Sequence, residues 1–219
     1  MFGGNIVNKS GNYYISSTVQ QFPDLTEHRQ KLFERVASLR TRHFCLVLED
    51  FFDPHNISAV IRTSEVYGLQ DVHIIEEDNP YTINKAILKG SIKWLDIFRY
   101  KKREVCIEGL KSKGYAIAVA NTHATKTILD LDLSKPTAFY MGAEFRGNHP
   151  DTVKYADCNF VLPQYGFTES MNVSVASGIL LTYLDVYMRL RGRKKFSLPI
   201  EEQEALIIEW RKRHLKYPA

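Results

Sequence analysis

Phe44-Cys-Leu-Val-Leu48 is a continuous apolar run, and it gives the clearest indication of the fold. Apolar runs of this length are typical of strands that are buried on both faces of a parallel sheet. A helical pattern over residues 56–67 follows the run and ends at Gly68, and a second predicted strand covers residues 72–75. A strand, a helix and another strand in this order indicate the start of a parallel sheet.

Outward from this unit, strands and helices continue to alternate. Toward the C-terminus the sequence predicts a helix over 103–113, strands over 115–120, 137–141 and 159–162, and helices over 171–190 and 201–215. Toward the N-terminus, apolar residues at helical spacing after Asp24 predict an amphipathic helix. The pattern predicts an α/β fold, with a mainly parallel sheet and helices on both faces.

The chain has room for one such domain with short additions. It has 219 residues, of which 44% are hydrophobic and 25% charged, as in ordinary globular proteins. We expect an irregular segment over residues 1–22, a single domain over 23–195 and a helical extension over 196–219.

Composition narrows the classes of function. The three cysteines are far apart and form no Cys-x-x-Cys pair, so the sequence predicts reduced thiols and no metal centre. No apolar run is long enough to span a bilayer and no signal-peptide pattern is present, so we expect a soluble, cytoplasmic protein. The net charge of +4 permits a nucleic-acid partner without requiring one.

Three segments that follow predicted strands carry unusual polar residues. Ligands of open parallel sheets bind beyond the carboxyl ends of the strands, so a site is expected among these segments. The first contains Asn56 and Arg62, and the second has Glu144 between Gly142 and Gly147. The third runs through residues 162–176 into the long apolar helix and carries Ser170, Asn172, Ser174 and, one position on, Ser177.

The first two segments also have purely structural interpretations. Asn56 could cap a helix, and Arg62, among apolar neighbours, could be a buried arginine paired with Glu65 or with a distant carboxylate. The glycines could serve a turn with positive φ, or Gly142 could let a ligand approach the backbone while Glu144 binds a polar group. No G-x-G-x-x-G follows any predicted strand, which argues against a dinucleotide site.

The third segment has a structural alternative too. Ser170 or Asn172 could cap the long helix, and the small residues could serve close packing. The segment lacks a G-x-S-x-G elbow and has no histidine nearby in sequence, so a hydrolase has little support.

Together and in this order, the three segments resemble the signature motifs of the SpoU/TrmH family within the SPOUT superfamily of RNA methyltransferases. Asn56 and Arg62 match the first motif, and Gly142, Glu144 and Gly147 match the second. The third is matched by Leu162, Pro163, Gly166, Ser170, Asn172, Val173, Ser174, Val175 and Ala176. The resemblance covers roughly residues 29–189, and residues 198–206 look like the C-terminal tail of family members that modify tRNA guanosine.

The resemblance implies a C-terminal deep trefoil knot, a homodimer and S-adenosylmethionine as the cofactor. It implies methyl transfer to an RNA ribose 2′-oxygen with no metal, where Arg62 would act with Asn56, Glu144, Ser170 and Asn172. Main-chain groups around the adenosyl part of the cofactor would come from Ala120, Asn121, Gly142, Leu162 and Met171.

The resemblance also implies an RNA substrate, with the guanosine at position 18 of the tRNA D-loop as the expected target. Basic residues expected to contact phosphates lie on the N-terminal helix and near the end of the long helix: Arg29, Lys31, Arg35, Arg189, Arg191, Arg193, Lys194 and Lys195. Two alternatives remain open. The substrate could be another tRNA nucleoside or rRNA, or the chain could be a non-catalytic RNA-binding relative, against which the complete motif set argues.

Overall fold

A computed structural model of the chain describes residues 25–80, 88 and 90–216. The irregular segment expected over residues 1–22 lies outside the described residues. The described helices are α1 Glu27–Ala37, α2 Pro54–Val66, α3 Arg103–Ser112, α4 Pro150–Tyr155, α5 Val173–Leu190 and α6 Ile200–Lys216. The described strands are β1 Phe44–Glu49, β2 Asp71–Ile75, β3 Asp96–Tyr100, β4 Ala116–Ala120, β5 Thr137–Met141 and β6 Cys158–Phe160.

The six described strands form one parallel sheet in the order β3-β2-β1-β5-β4-β6. β1 is central, since Leu46 is in register with Val72 of β2 on one side and with Phe139 of β5 on the other. This confirms the predicted parallel sheet. β3 was not predicted: its sequence mixes polar and apolar residues, and it is only half-buried because it lies at the edge of the sheet.

Helices cover both faces of the sheet, as predicted. On one face, Leu46 and Phe139 pack with residues of α2 and α5, such as Ile61 and Leu180. On the other face, the alternate strand residues pack against α3 and α4. β1 is therefore buried throughout, which is why its sequence is apolar without alternation.

The terminal helices pack against each other in a separate apolar cluster. Phe33 of α1 makes edge-to-face contacts with Trp94 and with Trp210 of α6. The indole Nε1 of Trp210 donates a hydrogen bond of 3.0 Å to the Trp94 carbonyl oxygen. The packing of Phe33 on Trp210 therefore joins the two ends of the described chain. The proposed domain boundaries stay predictions.

The structure decides between the capping alternatives. Asp53 caps α2 by accepting from the His55 N–H, so the capping interpretation of Asn56 was wrong. Asn172 does cap α5, because its Oδ1 accepts from the N–H groups of Ser174 and Val175 at 2.8 and 3.3 Å. Asn56 is consequently available for another role.

α5 is, among the described helices, the one that is long and apolar enough to cross a membrane by length and composition alone. The same test is passed by core helices of soluble proteins, and one face of α5 packs against the sheet. The trefoil knot stays a prediction, because strand order alone does not establish how a chain is threaded.

Candidate functional site

The candidate site lies beyond the carboxyl ends of β1, β5 and β6. All strands are parallel, so the loops that follow them emerge at one edge of the sheet. α2 follows β1, the loop of residues 142–148 follows β5, and a loop from β6 leads into α5. This topology brings together side chains that are far apart in sequence.

Three of the five predicted catalytic residues form one hydrogen-bonded chain. The Asn56 Nδ2 donates to the Glu144 Oε1 at 2.5 Å, and the Asn172 Nδ2 donates to the Asn56 Oδ1 at 3.0 Å. The other carboxylate oxygen of Glu144 accepts from the Phe52 N–H at 2.9 Å. These partners distinguish the nitrogen from the oxygen in the side-chain amides of Asn56 and Asn172, so the orientation of both amides is fixed.

Asn172 links this chain to the start of α5. Its Oδ1 accepts from the Ser174 hydroxyl at 2.6 Å in addition to the two capped N–H groups. One amide thus holds the first turn of a long core helix and orients Asn56. The capping interpretation of Asn172 is thus confirmed, and its contact with Asn56 joins the first and third segments.

The other two predicted catalytic residues, Arg62 and Ser170, lie at exposed positions. Arg62 is exposed on α2, so the expectation of a buried arginine was wrong. Glu65 instead forms an ion pair with the buried Arg40, at 2.5 Å. Ser170 is exposed in the loop before α5.

The loop of residues 142–148 closes on itself. The N–H of Ala143 donates to the Gly147 carbonyl oxygen at 3.1 Å, and the reverse bond is 2.8 Å. A Cβ on Gly142 would lie 2.1 Å from the backbone of both Gly147 and Asn148. The closure of the loop therefore leaves no room for a side chain at residue 142. Gly147 has a φ of +70°, as the turn interpretation expects.

The predicted cofactor positions lie around this loop. Ala120 ends β4, and its carbonyl oxygen accepts from the Asn148 Nδ2 at 2.7 Å. The N–H of Asn121 donates to the Phe160 carbonyl oxygen at 2.8 Å, which ties β4 to β6. Leu162 is buried in the core and Met171 packs partly buried against it.

These residues fit S-adenosylmethionine by two observations. Leu162 and Met171 are apolar side chains of the kind that suits a purine ring, and the Oδ1 of Asn148 is a buried acceptor without a donor in the described part of the chain. No cluster of three or more His, Cys, Asp or Glu side chains that could hold a metal ion occurs in the described part of the chain.

Glu49 is a further residue that supports the site. It was not predicted from the sequence. The residue ends β1 and is buried, and its carboxylate accepts from the Thr152 hydroxyl at 2.6 Å and from the His149 N–H at 3.1 Å. Burial raises the pKa of Glu49, while these bonds and Arg103 oppose that rise. A carboxylate directly after an apolar run was the available signal. Glu49 holds the end of the 142–148 loop against β1.

The predicted RNA-contacting residues fall into two groups. Arg193 is used within the chain: it forms an ion pair with Asp185 and donates to the carbonyl oxygens of Leu39 and Tyr67 at 3.2 and 3.1 Å. Its assignment to the RNA surface is therefore not supported. The exposed members are Lys31, Arg35, Arg189, Arg191, Lys194 and Lys195, and Arg29 is partly exposed.

Comparison with known proteins identifies the family. Residues 43–182 match the model described as the SpoU rRNA Methylase family. The chain is 38% identical over 168 residues to a Borreliella burgdorferi protein named tRNA (guanosine(18)-2′-O)-methyltransferase, covering 76% of each chain.

Solved structures agree. The chain resembles the crystal structure of the Aquifex aeolicus TrmH/SpoU tRNA modifying enzyme with a TM-score of 0.78 and 28% identity, covering 88% of this chain and 98% of that one. The fold of the Streptomyces viridochromogenes SpoU methyltransferase AviRb, solved with the cofactor AdoMet, matches 70% of this chain and 63% of that one with a TM-score of 0.63 at 19% identity. The chain belongs to the SpoU rRNA methylase family.

Proposed function

We propose that the chain transfers a methyl group from S-adenosylmethionine to the ribose 2′-oxygen of guanosine 18 in tRNA. The observation that carries the proposal is the hydrogen-bonded chain of Glu144, Asn56 and Asn172, which joins all three motifs. The Borreliella burgdorferi relative, which is named for this reaction, supports the choice of nucleoside.

The chemistry requires activation of a poor nucleophile. S-adenosylmethionine, when bound, supplies an electrophilic methyl group. The 2′-hydroxyl must be held in line with that methyl group and must lose its proton. Guanidinium groups are cations rather than bases in proteins, so the role that we propose for Arg62 is that of a cation. It holds the neighbouring RNA phosphate and stabilises negative charge on the 2′-oxygen, while the proton passes to a phosphate oxygen.

The remaining site residues orient these groups. Asn56 lies at the start of α2, the helix that carries Arg62, and it is tied to Glu144 and Asn172. This network fixes the position of α2 relative to the loops that hold the cofactor. The exposed hydroxyl of Ser170 is available to the ribose. Positioning within fractions of an ångström is what such a transfer demands.

A methyl-transfer assay tests the proposal. Purified protein is incubated with an unmodified tRNA transcript and methyl-labelled cofactor, and Arg62→Lys is compared with the control Arg99→Lys. Arg99 is bound to Glu76 through two hydrogen bonds on the edge strand β3. We expect a loss of about 100-fold or more for Arg62→Lys, because the planar fork is lost, and near-normal transfer for the control. Cofactor binding without transfer to any RNA would favour the non-catalytic alternative.

We also propose that a second copy of the chain covers α5. An apolar stripe faces away from the sheet at near-helical spacing and is exposed: Val175, Ile179, Val186 and Leu190. Such stripes on helices mark contacts with a partner. Light scattering should report a dimer for the wild type and a monomer for Ile179→Glu combined with Val186→Glu. A monomeric wild type at micromolar concentration would contradict the proposal.

The RNA surface is proposed on the exposed basic residues of α1 and of residues 189–195 without Arg193. Contacts of this kind release counterions, so the affinity for tRNA should fall steeply between 50 and 200 mM salt. A flat dependence would remove these residues from the interface. Transfer to another tRNA nucleoside or to rRNA remains the second candidate for the substrate, and we propose the cytoplasm as the location.

A further inference from the structure

The side chain of Asn148 spans the ends of two neighbouring strands. Asn148 lies at the end of the loop after β5, and its Nδ2 donates to the carbonyl oxygen of Ala120 at the end of β4, at 2.7 Å. A carbonyl oxygen can only accept, so the NH₂ group must face Ala120. The amide oxygen of Asn148 consequently points the other way, and the orientation of the amide is fixed.

That amide oxygen is buried and accepts no hydrogen bond within the described part of the chain. Buried side-chain polar atoms in folded proteins nearly always have a partner, so each exception requires an explanation. The other described atoms of this kind belong to Arg40, Gln70, Asn159 and His214. None of these four is in a loop beyond the carboxyl edge of the sheet.

The backbone around Asn148 is held rigidly. The Asn148 nitrogen packs so closely on Gly142 that a Cβ there would come within 2.1 Å of it. The next residue, His149, donates its N–H to the buried carboxylate of Glu49 at 3.1 Å. The side chain of Asn148 is therefore held in one orientation: it contacts Ala120, and its own backbone packs on Gly142, two of the main-chain positions that are expected to surround the cofactor.

We propose that Asn148 determines cofactor affinity and specificity, because its Oδ1 accepts a hydrogen bond from the adenosyl part of S-adenosylmethionine. The donor is either the adenine amine or a ribose hydroxyl, since these are the groups of that part that carry hydrogen on nitrogen or oxygen. The inference rests on the proposed function only through the identity of the cofactor. Asn148 takes no part in the transfer itself.

The test is a calorimetric titration with S-adenosylhomocysteine, which measures binding without turnover. Asn148→Leu keeps the size of the side chain and removes the acceptor. We expect it to weaken binding by about 10- to 100-fold, which is the usual effect of losing a buried hydrogen bond. Asn148→Asp keeps an acceptor but loses the bond to Ala120, so it should weaken binding less. Asn148→Asp also keeps the inference testable if Asn148→Leu does not fold.

The matched control is Asn79→Leu. The Asn79 Nδ2 also donates to a main-chain carbonyl oxygen, that of Asp50, at 2.9 Å, but its Oδ1 is not a buried atom without a partner. This variant should bind S-adenosylhomocysteine as the wild type does. Unfolding temperatures without ligand show whether each variant is folded.

Analogues of S-adenosylhomocysteine identify the donor. One analogue lacks the adenine amine, and two others lack the ribose 2′- or 3′-hydroxyl. The analogue that lacks the true donor should bind the wild type more weakly, yet bind Asn148→Leu no more weakly than the parent compound does. Wild-type affinity in folded Asn148→Leu, or no coupling with any analogue, would overturn the inference. Failure of the wild type to bind S-adenosylhomocysteine would instead contradict the proposed cofactor.

Discussion

The amide of Asn56 donates to one carboxylate oxygen of Glu144, across 88 residues of sequence, at a distance of 2.5 Å. The other oxygen of Glu144 accepts from the Phe52 N–H. Glu144 thus joins the loop after β5 to the loop and helix after β1 through both of its oxygens. The need for two acceptors explains why a carboxylate, rather than an amide, suits this position.

The first prediction concerns Glu144→Gln. The new NH₂ group must face either the Phe52 N–H or the Asn56 Nδ2, and two donors in contact cannot form a hydrogen bond. We expect kcat/KM for methyl transfer to fall by about 10- to 100-fold, since one of the two hydrogen bonds of residue 144 is lost and two donors are placed in contact. Glu104→Gln, on the exposed side of α3, is the control. Equal activity of the two variants would show that Glu144 does not organise the site.

The second prediction separates the two roles of Asn172. Asn172→Asp keeps the oxygen that caps α5 but loses the Nδ2 that donates to Asn56. Its free energy of unfolding should stay within about 0.5 kcal/mol of the wild type, while methyl transfer falls strongly. Asn172→Ala removes the cap as well and should cost about 1 kcal/mol in addition. Chemical denaturation and a transfer assay measure both effects. Normal transfer by Asn172→Asp would exclude the link to Asn56 from function.

The sequence predicted the parts of the fold that depend on apolar patterns. The run at residues 44–48 became β1, and the alternation of elements correctly indicated a parallel sheet with helices on both faces. β3 and α4 were missed because an edge strand is partly exposed and a helix of six residues has too few turns to show a period.

Some contacts of the site could be predicted from the sequence and others could not, for physical reasons. The contact between Asn56, Glu144 and Asn172 follows from the parallel topology, once the motifs are aligned with strand ends. The prediction that Arg62 is buried was wrong, because residues that are neighbours in sequence point to different sides of a helix. The hydrogen bonds from Asn148 and Arg193 to main-chain oxygens could not be predicted, since side-chain identity carries no information about distant carbonyl groups.

The third prediction concerns stability in acid. His73 is buried between β1 and β3 and stacks on Phe98, and burial, aided by the charges of Lys113 and Arg42, lowers its pKa to about 3. The unfolded chain, with a histidine pKa near 6.5, binds this proton more readily than the folded chain. Stability is therefore complete above about pH 6.5 and is lost as the pH falls toward 3.

The variant His73→Phe tests this prediction. Between pH 6 and 5 the free energy of unfolding of the wild type should fall by about 1 kcal/mol more than that of the variant. Denaturant unfolding at each pH measures the difference, and other titrating groups cancel in the comparison. Parallel pH profiles would show that His73 does not remain neutral in the folded protein.

The fourth prediction concerns the thiols, all three of which are free. Burial raises the pKa of Cys45 far above its usual value and that of Cys106 to about 12, whereas Cys158 is only half-buried. Only the thiolate reacts with alkylating agents, so iodoacetamide should label Cys158 first in the native protein. Peptide mapping by mass spectrometry checks the order. Cys158→Ser should abolish the fast labelling, and early labelling of Cys45 would contradict the packing of β1.

The most direct test of the account is to locate the methyl group that the enzyme adds to RNA. Unmodified tRNA is incubated with the protein and S-adenosylmethionine, digested, and analysed by mass spectrometry, beside a transcript whose guanosine 18 lacks the 2′-hydroxyl. The account predicts 2′-O-methylguanosine at position 18 of the first RNA and no methylation of the second. A methyl group on a base, or equal labelling of the two transcripts, would contradict it.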